Sequence, residues 1–300
     1  MDAERSSAIA DQVAHTDSQS LAFVAKLPPV RELAFAAWLR YRRFFPDIWP
    51  ILFFPAVVQT WVTIASLPPF GAHAEFEPSG TVRLVSGFGA LLLSLCMPSL
   101  LLILAGQGTN SFWANIVWGL RKWPRMIWAV ILSGLTILGG ILLFLIPGFL
   151  ASLRLQFTSY AVVLDDKQGR QATELSWNMV YGRTTQLLLR GAGFALLLLG
   201  LFIALQILAL FAGLLLGVSA QVGIVVAAAN FIIFPLWVSF AIELYLLMRV
   251  GVNDVIPGKK LLAVYRWVGA IAAGFLILSL VVVMIWQSTN VPLSDLPSAA

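Results

Sequence analysis

Few residues of this chain could do polar chemistry, and their types narrow what that chemistry is. His15 and His73 are its two histidines and Cys96 its one cysteine. None lies in a His/Cys/Asp/Glu set with ligand spacing, so a metal centre is not expected and an intramolecular disulfide is excluded. There is no Gly-rich phosphate loop with its Lys-Ser/Thr pair and no Gly-x-Ser-x-Gly elbow. Asp165 and Asp166 could hold a cation, but neighbours on a regular helix point ~100° apart. With Lys167 and Gly169 they read instead as a solvated turn. No catalytic residue, cofactor or metal ligand is therefore assigned. The informative residues are charges inside apolar runs: Arg154, Arg190 and Glu243. An unpaired charge there costs at least ~2.5–3.5 kcal/mol on insertion scales. Arg190 lies seven residues after Arg183, and Glu243 six before Arg249. Both then sit roughly 10 Å from the same boundary. A salt bridge between Arg190 and Glu243, fixing helix register, is the expectation. A polar pathway or headgroup pocket is the alternative, and snorkelling to the interface the third.

The elements that carry these charges are helices in a bilayer. The chain is 60% hydrophobic and 11% charged, with a mean hydropathy of +0.90. Several uncharged runs approach the ~20 residues that cross a bilayer as helix. Strands are excluded, because lipid-exposed sheet edges leave backbone groups unpaired. The net charge of +5 is concentrated beside the apolar runs. That placement suits orientation and contact with anionic phospholipids at the cytosolic face, and not nucleic-acid binding. Residues 1–30 lack the apolar core of a signal peptide and read as a flexible cytosolic tail, leaving the first span as the targeting signal.

Along the chain, Arg31 to Phe45 forms an amphipathic stripe with Arg40, Arg42 and Arg43 on the opposite face. A first span follows from Ile48 to Leu67, then a turn-rich loop with Glu75 and Glu77, then a second span from Leu84 to Ala105. Ser111 to Trp123 makes a second stripe, followed by a span from Met126 to Ile146. Pro147 and Gly148 break it, and Phe149 to Leu164 returns as helix. The third stripe is Arg170 to Tyr181, before spans at Thr184 to Leu210 and within Val222 to Met248. Val264 to Trp286 is a further apolar run, followed by a short polar tail. Each stripe holds a tryptophan (Trp38, Trp118, Trp177) and precedes a pair of apolar segments. The predicted fold is an all-α integral membrane bundle. It has three repeats of an amphipathic interfacial helix plus a transmembrane hairpin, with one additional C-terminal span. Residues 31–250 form the six-span membrane domain, and 251–300 the added helix and tail.

Topology depends on Phe149 to Leu164. If it crosses, the N-terminal arginines, Arg121 to Arg125, Lys167 to Arg183 and Arg249 to Arg266 share one side, as the positive-inside tendency favours. With Gly148 and Asp165 it covers ~27 Å as helix, enough to cross. Seven spans with a cytosolic N-terminus is the reading adopted. Gly213-x-x-x-Gly217 also fits a close helix contact.

Four stretches carry a family resemblance: IPGFLASLRLQF with its Pro-Gly hinge and arginine, AVVLDD ending in acids, QATELSWNMVYGR with Ala-x-x-x-Ser-Trp, and PLWVSFAIELYLLMR. In this order, over Arg31 to Arg249, they resemble bacterial inner-membrane proteins of unknown function. These share the fold of the membrane domain fused to some glycerophosphoryl diester phosphodiesterases. That pattern has an acid just after the tyrosine, where this chain has Leu246, with Glu243 before Tyr245 instead. The resemblance implies a bacterial inner-membrane location and this fold, and no activity. Three functions stay open. One is a non-catalytic protein of membrane and lipid organisation or envelope maintenance, with the bilayer as partner. The second is a transporter of a small molecule or lipid, and the third an enzyme acting on lipid phosphoesters.

Overall fold

Apolar runs of this length can bury their backbone polar groups only by forming helices. A computed structural model describes residues 27–66, 80–109, 111–250 and 259–289, and among them no strand occurs. The helices are α1 (Val30–Ala65), α2 (Gly80–Leu104), α3 (Phe112–Leu143), α4 (Leu145–Leu155), α5 (Thr158–Asp165) and α6 (Gly169–Val180). They continue with α7 (Thr184–Leu216), α8 (Val218–Ala228), a π segment at Ala229–Ile233, α9 (Phe234–Arg249) and α10 (Lys259–Thr289). Six of the described helices are long and apolar enough to cross a membrane: α1, α2, α3, α7, the α8–π–α9 run and α10. This is a multi-pass helical membrane protein. The readings of the N-terminal tail, the loop with His73, Glu75 and Glu77, and the polar C-terminal end lie outside the described residues.

Three expectations about the elements are corrected. The first two amphipathic stripes are not separate helices. Arg31 to Phe45 runs on into the first span through Pro46, Pro50 and Pro55, and Ser111 to Trp123 runs on through Pro124. A proline removes one ladder bond, which a long packed helix tolerates. The return after α3 is not one helix, because it breaks at Gln156–Phe157 into α4 and α5. The preceding break falls at Phe144, so Pro147 sits in the first turn of α4, where its missing N–H costs nothing. The third stripe does not lie on a surface. Ala172, Thr173, Ser176, Trp177, Met179 and Val180 of α6 are all buried among α3, α4 and α5, with Tyr265 and Arg266 of α10 against it.

Register follows from close contacts. Gly148 packs on Gly140 and Ile141 at one end of the α3–α4 hairpin, and Lys122 Nζ donates to the Val163 carbonyl at the other, at 2.7 Å. The α4–α5 return therefore runs antiparallel along α3 from residue 140 to residue 122, ~27 Å of helix. A Cβ at Gly139 would strike the Tyr265 carbonyl oxygen, and one at Gly269 the Leu135 carbonyl oxygen, so α10 crosses α3 backbone against backbone. Gly213 also makes a close contact, with Gln221 of α8, whose side chain a Cβ would meet at 2.8 Å, and with Gly217 it closes α7. Gly217 has φ +95°, and its N–H donates to the Gly213 carbonyl at 2.8 Å.

Pro235 explains one link across the bundle. It cannot donate to the Phe231 carbonyl four residues back. The chain widens into the π segment there, and Tyr41 Oη donates to that carbonyl at 2.9 Å. The freed acceptor thus ties α1 to the last span of the domain.

Candidate functional site

The polar centre of the bundle is built around the break between α4 and α5. Breaking a helix frees backbone groups that lipid cannot satisfy. Ser176 of α6 takes both sides of the break: its hydroxyl donates to the Arg154 carbonyl at 2.7 Å and accepts from Phe157 N–H at 3.2 Å. Thr158 Oγ1 adds a bond to the Leu155 carbonyl at 2.7 Å. The Ser-Trp pair of α6 then does two things, because the next residue, Trp177, meets the Arg154 side chain. The Arg154 guanidinium carbon lies 4.6 Å from the Trp177 ring centre and 5.0 Å from that of Tyr181. Its Nε is buried with no hydrogen-bond partner. Arg154, expected to be an intramembrane polar residue, is thus held by rings and not by an acid.

Three residues later in the turn, the break opens onto a cavity. It has a volume of about 360 Å³ and lies between α4–α5, α7 and α9. Phe157, Leu187, Phe240 and Leu244 form its floor, and Leu188, Gly191 and Ala195 one wall. Gln156, Tyr160 and the Trp237 indole are its polar-capable groups. Behind it, Phe194 stacks on Phe240 with ring centres 3.9 Å apart, and Tyr160 stacks on Tyr245 at 5.8 Å. Such stacks make a rigid wall.

Asp165 closes the far end of α5. It does not stand in a solvated turn: its carboxylate is 3% exposed, whereas that of Asp166 is 66% exposed. Tyr245 Oη donates to Asp165 Oδ2 at 2.6 Å, and Arg249 Nη2 lies 2.9 Å from Oδ1. Asp166, at φ +55°, faces Lys122 Nζ at 3.3 Å. The first acid of AVVLDD and the tyrosine and arginine of ELYLLMR therefore meet, while the second acid turns to α3. Sequence reading missed this, since nothing in either stretch names the other.

The expected Arg190–Glu243 bridge does not form. Glu243 pairs with Arg40, Nε to Oε1 at 2.7 Å, and Arg40 Nη1 also donates to the Leu104 carbonyl at 2.7 Å. Arg190 donates to the carbonyls of Leu27 and Pro28, at 2.8 and 3.1 Å. Counting residues from the span ends did not find the pairing, because it fixes neither the tilt of a helix nor the azimuth of a side chain around it. Arg40, read as an interfacial arginine, points inward. On the other flank of α6, Arg266 bonds Thr173 Oγ1, with Glu174 Oε1 at 3.9 Å, and Glu174 also pairs with Arg170 at 2.7 Å.

Among the described residues no group of three or more His, Cys, Asp or Glu is placed to hold a metal ion. No family model, curated protein or solved structure matches the chain.

Proposed function

We propose that this is a protein of the bacterial inner membrane that engages lipids of its own bilayer and serves membrane organisation or envelope maintenance. It does so without catalytic machinery and with its N-terminus in the cytosol. The observation that carries the reading is the cavity beside the α4–α5 break. Its walls are aliphatic and aromatic, its volume of about 360 Å³ falls in the range of small-ligand sites, and Gln156 and Leu188 at its edge are exposed. An aqueous solute would need a polar lining, whereas an acyl chain would not. The threefold arrangement of stripe plus hairpin belongs to this proposal. So does kinship with the membrane domain fused to glycerophosphoryl diester phosphodiesterases, which rests on the four stretches quoted above.

Filling the cavity is the direct test. Gly191 has open space where a side chain would project. Gly191→Phe and Ala195→Phe should therefore fold while displacing an occupant. Native mass spectrometry should find phospholipid retained by the wild type and lost from both variants. A wild type that emerges lipid-free, or that takes up polar solutes in proteoliposomes, would remove this reading. Purified protein with glycerophosphodiesters and magnesium, calcium or zinc should release no product, and turnover abolished by Asp165→Asn or Asp166→Asn would restore the enzyme reading. Orientation is tested separately. In a Cys96→Ala background, Lys167→Cys should label from the cytosolic side and Glu77→Cys from outside, and the reverse pattern would invert the topology.

A further inference from the structure

Among the described residues, Arg154 and Arg183 differ from the other half-buried cations in having no acid or carbonyl acceptor. Arg40 has Glu243 and a carbonyl, Lys122 has Asp166 and a carbonyl, Arg190 has two carbonyls, and Arg266 has Thr173 and Glu174. Arg154 has only the faces of Trp177 and Tyr181; its Nε is buried without a partner, as is that of Arg266, whose terminal nitrogens do have partners. Aromatic faces compensate a cation's charge but accept none of its in-plane N–H bonds. A guanidinium carries five such donors in a fork that matches two oxygens of one oxyanion. Arg183 lies two residues beyond Tyr181 and is half-buried as well. The Tyr181 ring that covers Arg154 is itself 46% exposed, so this apolar cover reaches the surface of the bundle.

We propose that Arg154, held between Trp177 and Tyr181, binds a phosphate group. The phosphate of an anionic phospholipid and free inorganic phosphate offer the same oxygens. The apolar surround favours the lipid, and that choice of source rests on the lipid-binding reading above, whereas recognition of phosphate does not. The rings fix the guanidinium so that little side-chain freedom is lost on binding, and the missing acid leaves the site one negative charge short. A net-negative lipid therefore binds better than a zwitterionic one.

The test uses the full chain in detergent. Native mass spectrometry with an equimolar mixture of phosphatidylglycerol and phosphatidylcholine reads headgroup preference, and thermal unfolding with added inorganic phosphate reads the soluble source. The wild type should prefer phosphatidylglycerol, and Arg154→Gln should reduce that preference on the order of tenfold, the worth of one charge-assisted bidentate contact. Arg154→Lys keeps the charge and the fold but not the fork, and should lose most of the preference too. Stabilisation by inorganic phosphate that vanishes in Arg154→Gln, with no lipid preference, supports the phosphate site and assigns it a soluble ligand. Equal preference and equal phosphate response in wild type and both variants overturn the proposal. Lipid retained without headgroup preference or phosphate response overturns it as well, while leaving the cavity reading intact. Loss of all lipid with a phosphate response kept does the reverse.

Discussion

Arg154 and Asp165 stand at two points of one return through the bundle, and the fold treats them in opposite ways. Asp165 is enclosed, with a tyrosine hydroxyl on one oxygen and an arginine against the other. Arg154 is enclosed by rings and left with an unpartnered N–H. Burial does not separate them, and each keeps one buried atom without a hydrogen bond, Oδ1 of Asp165 and Nε of Arg154. What separates them is the partner: an opposite charge and a hydroxyl for the acid, aromatic faces alone for the cation. A charge met by its counter-charge inside the chain holds helices together, whereas one met only by rings is left to offer its charge to something else.

The largest effect expected from this contrast is at Asp165. Asp165→Ala leaves Tyr245 Oη buried without its acceptor and Arg249 without its acid. It should cost about 2–3 kcal/mol, read as a clear fall in melting temperature in detergent. Arg249 is half exposed, so Arg249→Gln should cost much less than the loss of the acid. Equal losses at the two positions would mean that the carboxylate is not the centre of the cluster. Next comes Ser176→Ala, which strips both partners from the α4–α5 break. The change should cost roughly 1–3 kcal/mol and raise hydrogen exchange at Phe157. Ser176→Thr, which restores a hydroxyl, should recover part of it.

Smaller still is the coupling of Arg40 with Glu243. Arg40→Gln and Glu243→Gln should be non-additive by about 1 kcal/mol, the double variant being more stable than the sum of the singles predicts. Arg190→Gln and Glu243→Gln should add independently, since the two side chains have different partners. Coupling between that second pair would contradict the observed pairing. The smallest effect belongs to Arg154→Gln. Lost cation–π contact of about 0.5–1 kcal/mol is offset by removal of an unsatisfied buried N–H. Its melting temperature without ligand should stay close to wild type, and a fall as large as that of Asp165→Ala would erase the distinction between the two charges.

Much of the framework was legible in the residues. Apolar runs gave the spans, Pro147–Gly148 marked the α3–α4 corner to within a few residues, and Arg154 and Glu243 stood out as charges that must be compensated. Helix continuity was harder to read. Pro46 and Pro124 look like boundaries, yet α1 and α3 run through them because one lost ladder bond is small against the packing of a long helix. The opposite error occurred at Gln156–Phe157, where no proline or glycine announces a break. The signal was remote: a serine on another helix able to satisfy both freed groups. The close α3–α10 crossing had a visible mark in Gly139 and Gly269, but two glycines do not name each other as partners.

What the sequence determined by itself is the solvent of this protein and its helical class. Both follow from local composition: apolar length sets a span, and the absence of water inside the bilayer makes each span helical. Only the tertiary structure decided which charge meets which. Pairing depends on helix rotation, tilt and order in the bundle, and none of these is written into the spacing along one helix. Spacing along their own helices suggested that Glu243 and Arg190 share a depth, yet one meets Arg40, well inside α1, and the other the carbonyls of Leu27 and Pro28, just before α1 begins. The same is true of Arg154: the sequence supplies a cation in an apolar run, and the packing of α6 against α4 decides that rings and no acid come to meet it.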